Sequence, residues 1–190
     1  MKFEVVDDKS YYGLALSRLN NNVAGLKTRI NSDDKLKDIQ LKIGGTTDKY
    51  FSEKLYTEIG DRKNPGVTYV TYSNYDKNYL GSYDYLIGEE TRDTDTKLPT
   101  VTIPKSNFYL KITTSEGEIP EILQETWSYI WKAEASGDLS SKICELRKGD
   151  KAHAQRKYDV DFEIYDHRAS DPSKSIIDVY IGFEYTDSLE

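Results

Sequence analysis

The stretch Tyr83-Asp84-Tyr85-Leu86-Ile87-Gly88-Glu89-Glu90 recurs in similar form as Ile177-Asp178-Val179-Tyr180-Ile181-Gly182-Phe183-Glu184. The two stretches share an aspartate, an isoleucine, a glycine and a glutamate at matching positions, about half a chain length apart. Upstream, Tyr72 and Tyr165 precede the two glycines at nearly equal spacing. The repeat predicts two similar halves, roughly residues 1–95 and 96–190, which are related by a pseudo-twofold axis. We expect a cleft at their seam, where ligands often bind.

The composition is that of an acidic globular protein. The chain has 190 residues, a formal net charge of −7 and 37% hydrophobic residues, which favours a single domain with its own core. Because binding to phosphate backbones needs a basic face, we do not expect direct nucleic-acid binding, whereas a cationic partner is easily accommodated. The 16 tyrosines are typical either of a partly hydrated recognition surface or of a protein with many β-strands.

The sequence gives no indication of a disulfide, a metal site, a membrane span or a signal peptide. The single cysteine, Cys144, excludes an intrachain disulfide and a cysteine-rich metal site, and His153 and His167 lack the spacing of metal ligands. No window approaches the ~18 apolar residues of a membrane span, and the N-terminus lacks the apolar stretch of a signal peptide. We therefore expect a cytoplasmic protein without cofactor, metal or membrane, and leave a protein partner open.

Apolar periodicity and turn residues divide the chain into helices and strands. Helices are predicted over 47–59, after Pro120 as far as Gly137, and over 139–147. Residues 23–43 are ambiguous, and Gly44-Gly45 is expected to break the helical pattern. Strands are predicted over 3–6, 12–19, 67–73, 83–90, 99–104, 107–114, 157–165 and 176–185. This order predicts an α+β protein with helices on one face of an antiparallel sheet.

Glu163 is the leading candidate for a ligand-binding residue. Strand alternation places Phe162 and Ile164 on one face and Asp161, Glu163 and Tyr165 on the other. If the apolar pair packs on a helix, the acids line the opposite face, which could look into the seam. A carboxylate framed by aromatic rings can hold an organic cation, and burial could also make it a general base. The alternative is that Glu163 points into solvent.

Aromatic residues are the candidate walls of this site. Trp127 and Trp131 lie one helical turn apart and share a face, which fits core packing as well as a flat wall beside a ligand. Tyr72 and Tyr85 lie on the first-half hairpin together with Tyr69 and Tyr83. The sequence does not assign these four tyrosines to the core or to the cleft.

Five segments in the right order resemble the GyrI-like small-molecule-binding domain, also described as the effector-binding domain of bacterial transcription activators. Residues 83–88 and 98–104 are similar to two consecutive strands of that family, and residues 119–131 are similar to its second helix. Residues 158–166 resemble its Phe-Glu-x-Tyr strand, and residues 177–181 resemble its closing strand. The resemblance covers about residues 65–185, whereas residues 20–60 match poorly.

The resemblance implies one domain of two βαββ-type repeats around a cleft for hydrophobic, often cationic or planar compounds. It implies that Glu163 is the buried acid that contacts the ligand, with five aromatic residues as candidate neighbours: Tyr72, Tyr85, Trp127, Trp131 and Tyr165. Since residues 1–19 are predicted as strand rather than as a helix-turn-helix, the chain resembles the standalone members. Some of these bind drugs or toxins, so we expect a binding protein; a hydrolase of cyclopropane-containing genotoxins and a gyrase-protecting factor are the alternatives.

Overall fold

Nine strands of the described residues form one antiparallel sheet. The computed structural model describes residues 1–6, 21–104, 108–146 and 153–186. The order in the sheet is β1-β6-β9-β8-β3-β4-β2-β5, and β7 pairs with the end of β9. The strands are β1 Lys2–Val6, β2 Asn21–Ile30, β3 Thr68–Ser73, β4 Tyr83–Thr91, β5 Thr100–Ile103, β6 Phe108–Thr113, β7 His153–Arg156, β8 Val160–Tyr165 and β9 Asp178–Thr186. The predicted α+β class is confirmed, and the strand predicted over 12–19 lies outside the described residues.

The sheet has the same organisation on both sides of its centre. A helix follows β2 in one half and β6 in the other, and the strands lie side by side as β2-β4-β3 and as β6-β9-β8. β3 and β8 are neighbours at the centre, where Thr71 pairs with Phe162. This is the arrangement that the predicted pseudo-twofold axis requires. One row of paired residues crosses the axis and runs through six strands: Lys27, Leu86, Thr71, Phe162, Tyr180 and Lys111.

The register of this row shows which residue of the second half is equivalent to Tyr72, and it corrects the prediction from the sequence. Tyr72 was matched with Tyr165, but Tyr72 directly follows Thr71 and Glu163 directly follows Phe162. Tyr72 and Glu163 therefore occupy equivalent positions on either side of the axis. The prediction was wrong because the connection from β8 to β9 is longer than the connection from β3 to β4, so spacing from the glycines does not give the strand register.

Three α-helices lie among the described residues: α1 Leu36–Ser52, α2 Glu121–Ser136 and α3 Asp138–Leu146. The predicted break at Gly44-Gly45 is wrong, because α1 runs through both glycines. Each glycine costs a helix about 1 kcal/mol relative to alanine, but Ile39, Ile43 and Tyr50 pack against the first half of the sheet and offset that cost. None of the described helices has the length and apolar character needed to cross a membrane.

The helices cover the face of the sheet that was expected to be free of them. Strand alternation correctly separates Phe162 and Ile164 from Glu163 and Tyr165, but the helices pack over the face that carries the acid. Phe162 lies on the opposite face in an apolar cluster, where its ring stacks on Tyr180 with centroids 4.5 Å apart. Both faces of the central strands are therefore buried, and Glu163 lies beneath the helices rather than opposite them.

Gly88 and Gly182, the matching glycines of the repeat, should respond differently to substitution by alanine. A Cβ at Gly88 would lie 2.0 Å from the carbonyl oxygen of Ala24, whereas a Cβ at Gly182 meets its nearest atom at 3.3 Å. We expect Gly88→Ala to destabilise the protein by at least ~2 kcal/mol through overpacking against backbone, and Gly182→Ala to cost clearly less. Urea denaturation of both variants measures this; equal losses would contradict the close approach of β2 and β4.

Candidate functional site

Three side chains donate hydrogen bonds to the carboxylate of Glu163, and they come from three different elements. Tyr72 on β3 donates to Oε1 at 2.9 Å, and the indole Nε1 of Trp127 on α2 donates to the same oxygen at 2.7 Å. Tyr165, two residues further along β8, donates to Oε2 at 2.6 Å. The Glu163 residue is only 1% exposed. This burial does not fit the alternative that Glu163 points into solvent.

Strand register and helix packing explain why these groups meet. Tyr72 and Glu163 follow the central Thr71–Phe162 pair on their respective strands, so both project on the helix side next to the axis. Tyr165 shares the face of Glu163 because side chains alternate along a strand. On α2, a buried stripe that includes Thr126 and Ile130 packs toward the sheet, and Trp127 lies half-buried beside it.

A second layer of rings surrounds Tyr72. Its ring centroid lies 4.9 Å from that of Trp127, 5.8 Å from Tyr85 and 5.9 Å from Tyr83. Tyr85 is buried and its hydroxyl lies 3.0 Å from the hydroxyl of Thr47 on α1. The layer therefore links the Glu163 carboxylate to both helices, α2 directly and α1 through Tyr85.

The site residues predicted from the sequence differ in how they contact the Glu163 carboxylate. Tyr72, Trp127 and Tyr165 bond Glu163 directly, and Tyr85 contacts it through the ring of Tyr72. Trp131 does not reach the carboxylate: it is 42% exposed, and its ring lies 6.1 Å from that of Trp127, one turn further along α2.

Thr47 and Tyr83 were not predicted as members of the site. Thr47 continues the spacing of Ile39 and Ile43 along α1, but the helix break predicted at Gly44-Gly45 separates it from that stripe in the sequence. Tyr83 was named among the hairpin tyrosines but not assigned to a face. Its position two residues from Tyr85 on the same strand is the signal that places both on one face.

Burial governs the ionisation of the site. Loss of water around Glu163 raises the pKa of its carboxyl, and the hydrogen bonds from Tyr165, Trp127 and Tyr72 oppose this change in part. Burial and the nearby Glu163 charge raise the pKa of the Tyr72 and Tyr165 hydroxyls well above their ordinary value. Both tyrosines therefore stay protonated and remain donors at all physiological pH values.

Glu163 differs from the other buried acids in its partners. Six carboxylates are buried among the described residues: Asp84, Glu89, Glu90, Asp161, Glu163 and Asp178. Five of these carboxylates lie within 4 Å of a side-chain nitrogen of a described lysine or arginine. Glu163 alone of these six has only uncharged donors among the described residues. When Glu163 is ionised, no lysine or arginine of the described residues neutralises its charge.

Comparison with known proteins identifies the family. The family described as Cass2, integron-associated effector binding protein, matches residues 19–182. The chain belongs to this GyrI-like family. A candidate transcriptional regulator of Bacillus subtilis (strain 168), YobU, is 25% identical over 165 residues, which cover 85% of this chain and 91% of YobU.

Two solved structures share the fold of this Cass2-family chain. The integron cassette protein VCH_CASS2, from the mobile metagenome of Vibrio cholerae, superposes with a TM-score of 0.60 at 17% identity, over 96% of this chain and 95% of that chain. SAV2435, whose structure is bound to tetraphenylphosphonium, superposes with a TM-score of 0.62 at 15% identity, over 97% of this chain and 94% of that chain. These likenesses confirm the α+β fold.

The raised pKa of Glu163 should be visible in the pH dependence of folding stability. Because the folded-state pKa lies above the value of about 4.5 for an ordinary glutamate, protonation favours the folded state, and this contribution is lost as pH rises through the folded-state pKa. Relative to Glu163→Gln, wild type should therefore gain stability as pH falls through the folded-state pKa toward about 4.5, by up to ~1.4 kcal/mol per pH unit within that window.

Urea denaturation of both proteins at a series of pH values measures this difference. Glu125→Gln, an exposed position on α2, is the matched control and should follow the wild-type profile. Parallel profiles for wild type and Glu163→Gln would contradict a raised pKa at Glu163.

Proposed function

We propose that this chain is a binding protein for hydrophobic organic cations, which it holds between α1 and α2 with Glu163 as the counter-charge. The observation that carries this proposal is the pairing of the buried acids: Glu163 has no basic partner among the described residues, whereas the other five do. A buried charge without a partner costs several kcal/mol of folding free energy. A ligand cation would supply the missing charge.

The groups around the carboxylate favour an organic cation over a metal ion. Tyr72, Trp127 and Tyr165 present aromatic surface, and a cation over the face of such a ring gains ~0.5–2 kcal/mol. Hard metal ions need six or more oxygen ligands. Around Glu163 the oxygens of Tyr72 and Tyr165 are already committed as donors to the carboxylate. The chemistry of the site thus matches a diffuse, weakly hydrated positive charge on an apolar body.

The comparisons support the same class of ligand. The family is described as an effector binding protein, and SAV2435 has been solved with tetraphenylphosphonium, a monovalent cation that carries four aromatic rings and no hydrogen-bond donor. Such a ligand can be recognised only through charge and apolar contact. These are the two features that Glu163 and its ring of aromatic side chains offer.

Binding accounts for the geometry better than hydrolysis does. A general base needs a pKa near the working pH and a free lone pair directed at the proton that it accepts. Here Oε1 already accepts two hydrogen bonds and Oε2 accepts one, and all three stabilise the charged form. The arrangement favours an anion that stays charged while the ligand is bound.

Removing the charge of Glu163 should weaken cation binding. We expect Glu163→Gln to raise the Kd for tetraphenylphosphonium at least tenfold, because a desolvated charge contact is lost while the size of the side chain is kept. Glu125→Gln removes one charge from an exposed position on α2, the helix of Trp127, and should leave the Kd within about twofold. Titration followed by the fluorescence of Trp127 and Trp131 or by calorimetry gives both values. Equal affinities of wild type and Glu163→Gln would refute the proposal.

Cation binding should also be coupled to proton release. Below the raised pKa of Glu163 the carboxyl is protonated, so the ligand must displace a proton, and the Kd should rise about tenfold for each unit of decrease in pH. Above that pKa the Kd should not depend on pH. Calorimetry in two buffers with different ionisation enthalpies counts the released protons. A pH-independent Kd between pH 4 and 8, or the same pH dependence in Glu163→Gln, would show that another group governs binding.

A further inference from the structure

The aromatic rings of α2 continue beyond the Glu163 site. Trp127, which donates to Glu163, is followed one helical turn later by Trp131, about 6 Å further along the helix axis. The two ring centroids lie 6.1 Å apart. Trp131 is one of the few large apolar residues left substantially exposed, at 42%. Its ring therefore extends the aromatic wall away from the carboxylate and toward the surface.

The outer face of Trp131 is covered by a tyrosine from the other half of the chain. Tyr79 lies in the connection between β3 and β4, and its ring is nearly parallel to that of Trp131, with centroids 6.2 Å apart and planes 18° apart. Its neighbours Asn78 and Leu80 are exposed. The contact thus joins a surface loop of the first half to a helix of the second half.

This loop is held in place by polar contacts on the far side of the rings. The hydroxyl of Tyr75 donates to the buried carboxylate of Asp161 at 2.8 Å. The hydroxyl of Tyr158 is hydrogen-bonded to the backbone of Tyr79 and donates to Glu134, which lies one turn beyond Trp131 on α2. Tyr79 is therefore positioned over Trp131 by bonds that do not involve the two stacked rings.

We propose that Tyr79 and Trp131 form an outer subsite for a flat aromatic group, so that the preferred ligands are elongated cations with a charged head at Glu163 and a planar arm between these two rings. The inference rests on the proposed function, since it needs the head to bind at Glu163. A planar group sandwiched between two rings needs the ring planes about 7 Å apart, because each layer is roughly 3.5 Å thick. The planes of Tyr79 and Trp131 are already within 18° of parallel, so an outward movement of the loop opens this space without a change in ring orientation.

The prediction can be tested with two ligands that share a head group. Methyltriphenylphosphonium carries the charge without an arm, and (1-naphthylmethyl)triphenylphosphonium adds one flat ring system. Wild type should bind the naphthyl compound about tenfold more tightly, which is the gain typical of one desolvated aromatic stack. Trp131→Ala and Tyr79→Ala should each reduce this preference to twofold or less, while the Kd for methyltriphenylphosphonium stays within twofold of wild type.

Tyr129→Ala is the matched control, because Tyr129 is a partly exposed aromatic residue of α2 whose ring packs on Phe3 instead. It should keep the tenfold preference. If wild type binds both compounds through Glu163 with equal affinity, or if the preference survives in Trp131→Ala, the outer subsite is refuted and the proposed function stands. If neither compound binds, or if Glu163→Gln binds both as well as wild type does, the proposed function fails and the subsite fails with it.

Discussion

The pairing of β3 with β8 creates both the central sheet and the site. Because Thr71 lies opposite Phe162, the next residues, Tyr72 and Glu163, project under the helices on the same face, diagonally across this central pair. A slip of one residue would turn Glu163 to the other face, into the cluster that contains Tyr69 and the stacked Phe162–Tyr180 rings, and away from its three hydrogen-bond donors. Since both faces of these strands are buried, the register is strongly specified, and the position of the acid is fixed with it.

The two halves make matching ion pairs at the ends of the row of paired residues that runs from Lys27 to Lys111. Next to the centre of this row, their side chains differ. Lys27 bonds Asp84 at 2.9 Å in one half, and the equivalent Lys111 bonds Asp178 at 3.2 Å in the other. At the axis, by contrast, the equivalent positions hold Tyr72 and Glu163. Two acids at these two neighbouring positions would repel each other and share a proton. A tyrosine in the second position instead donates a hydrogen bond, so the site keeps a single defined negative charge.

The sequence predicts the features of this fold that depend on local pattern, and it fails where packing decides. The repeat was visible because β4 and β9 are equivalent strands that occupy the same place in each half. Alternation correctly placed Glu163 and Tyr165 on one face, but it could not show which face the helices cover, because Phe162 and Ile164 on the other face are equally buried.

The hydrogen bond from Trp127 to Glu163 was beyond prediction for a related reason. It joins residues on α2 and β8 that are separated in the chain by α3 and β7, and its geometry depends on how α2 lies across the sheet. The course of α1 through Gly44-Gly45 was missed because local helix propensity opposes it, and only the tertiary contacts of residues such as Ile43 and Tyr50 offset that preference.

A lysine or arginine next to Glu163 would lower the cost of burying its charge and would remove the counter-charge that the proposed function requires. The other five buried acids of the described residues show that this fold places such partners readily. At Glu163 the three donors are neutral, so they fix the orientation of the carboxylate without cancelling its charge. Under the proposed function, a cation that enters meets an acid already oriented and already removed from water, and little reorganisation remains to oppose binding. The proposal thus implies that stability lost in folding is recovered as affinity for a ligand of opposite charge.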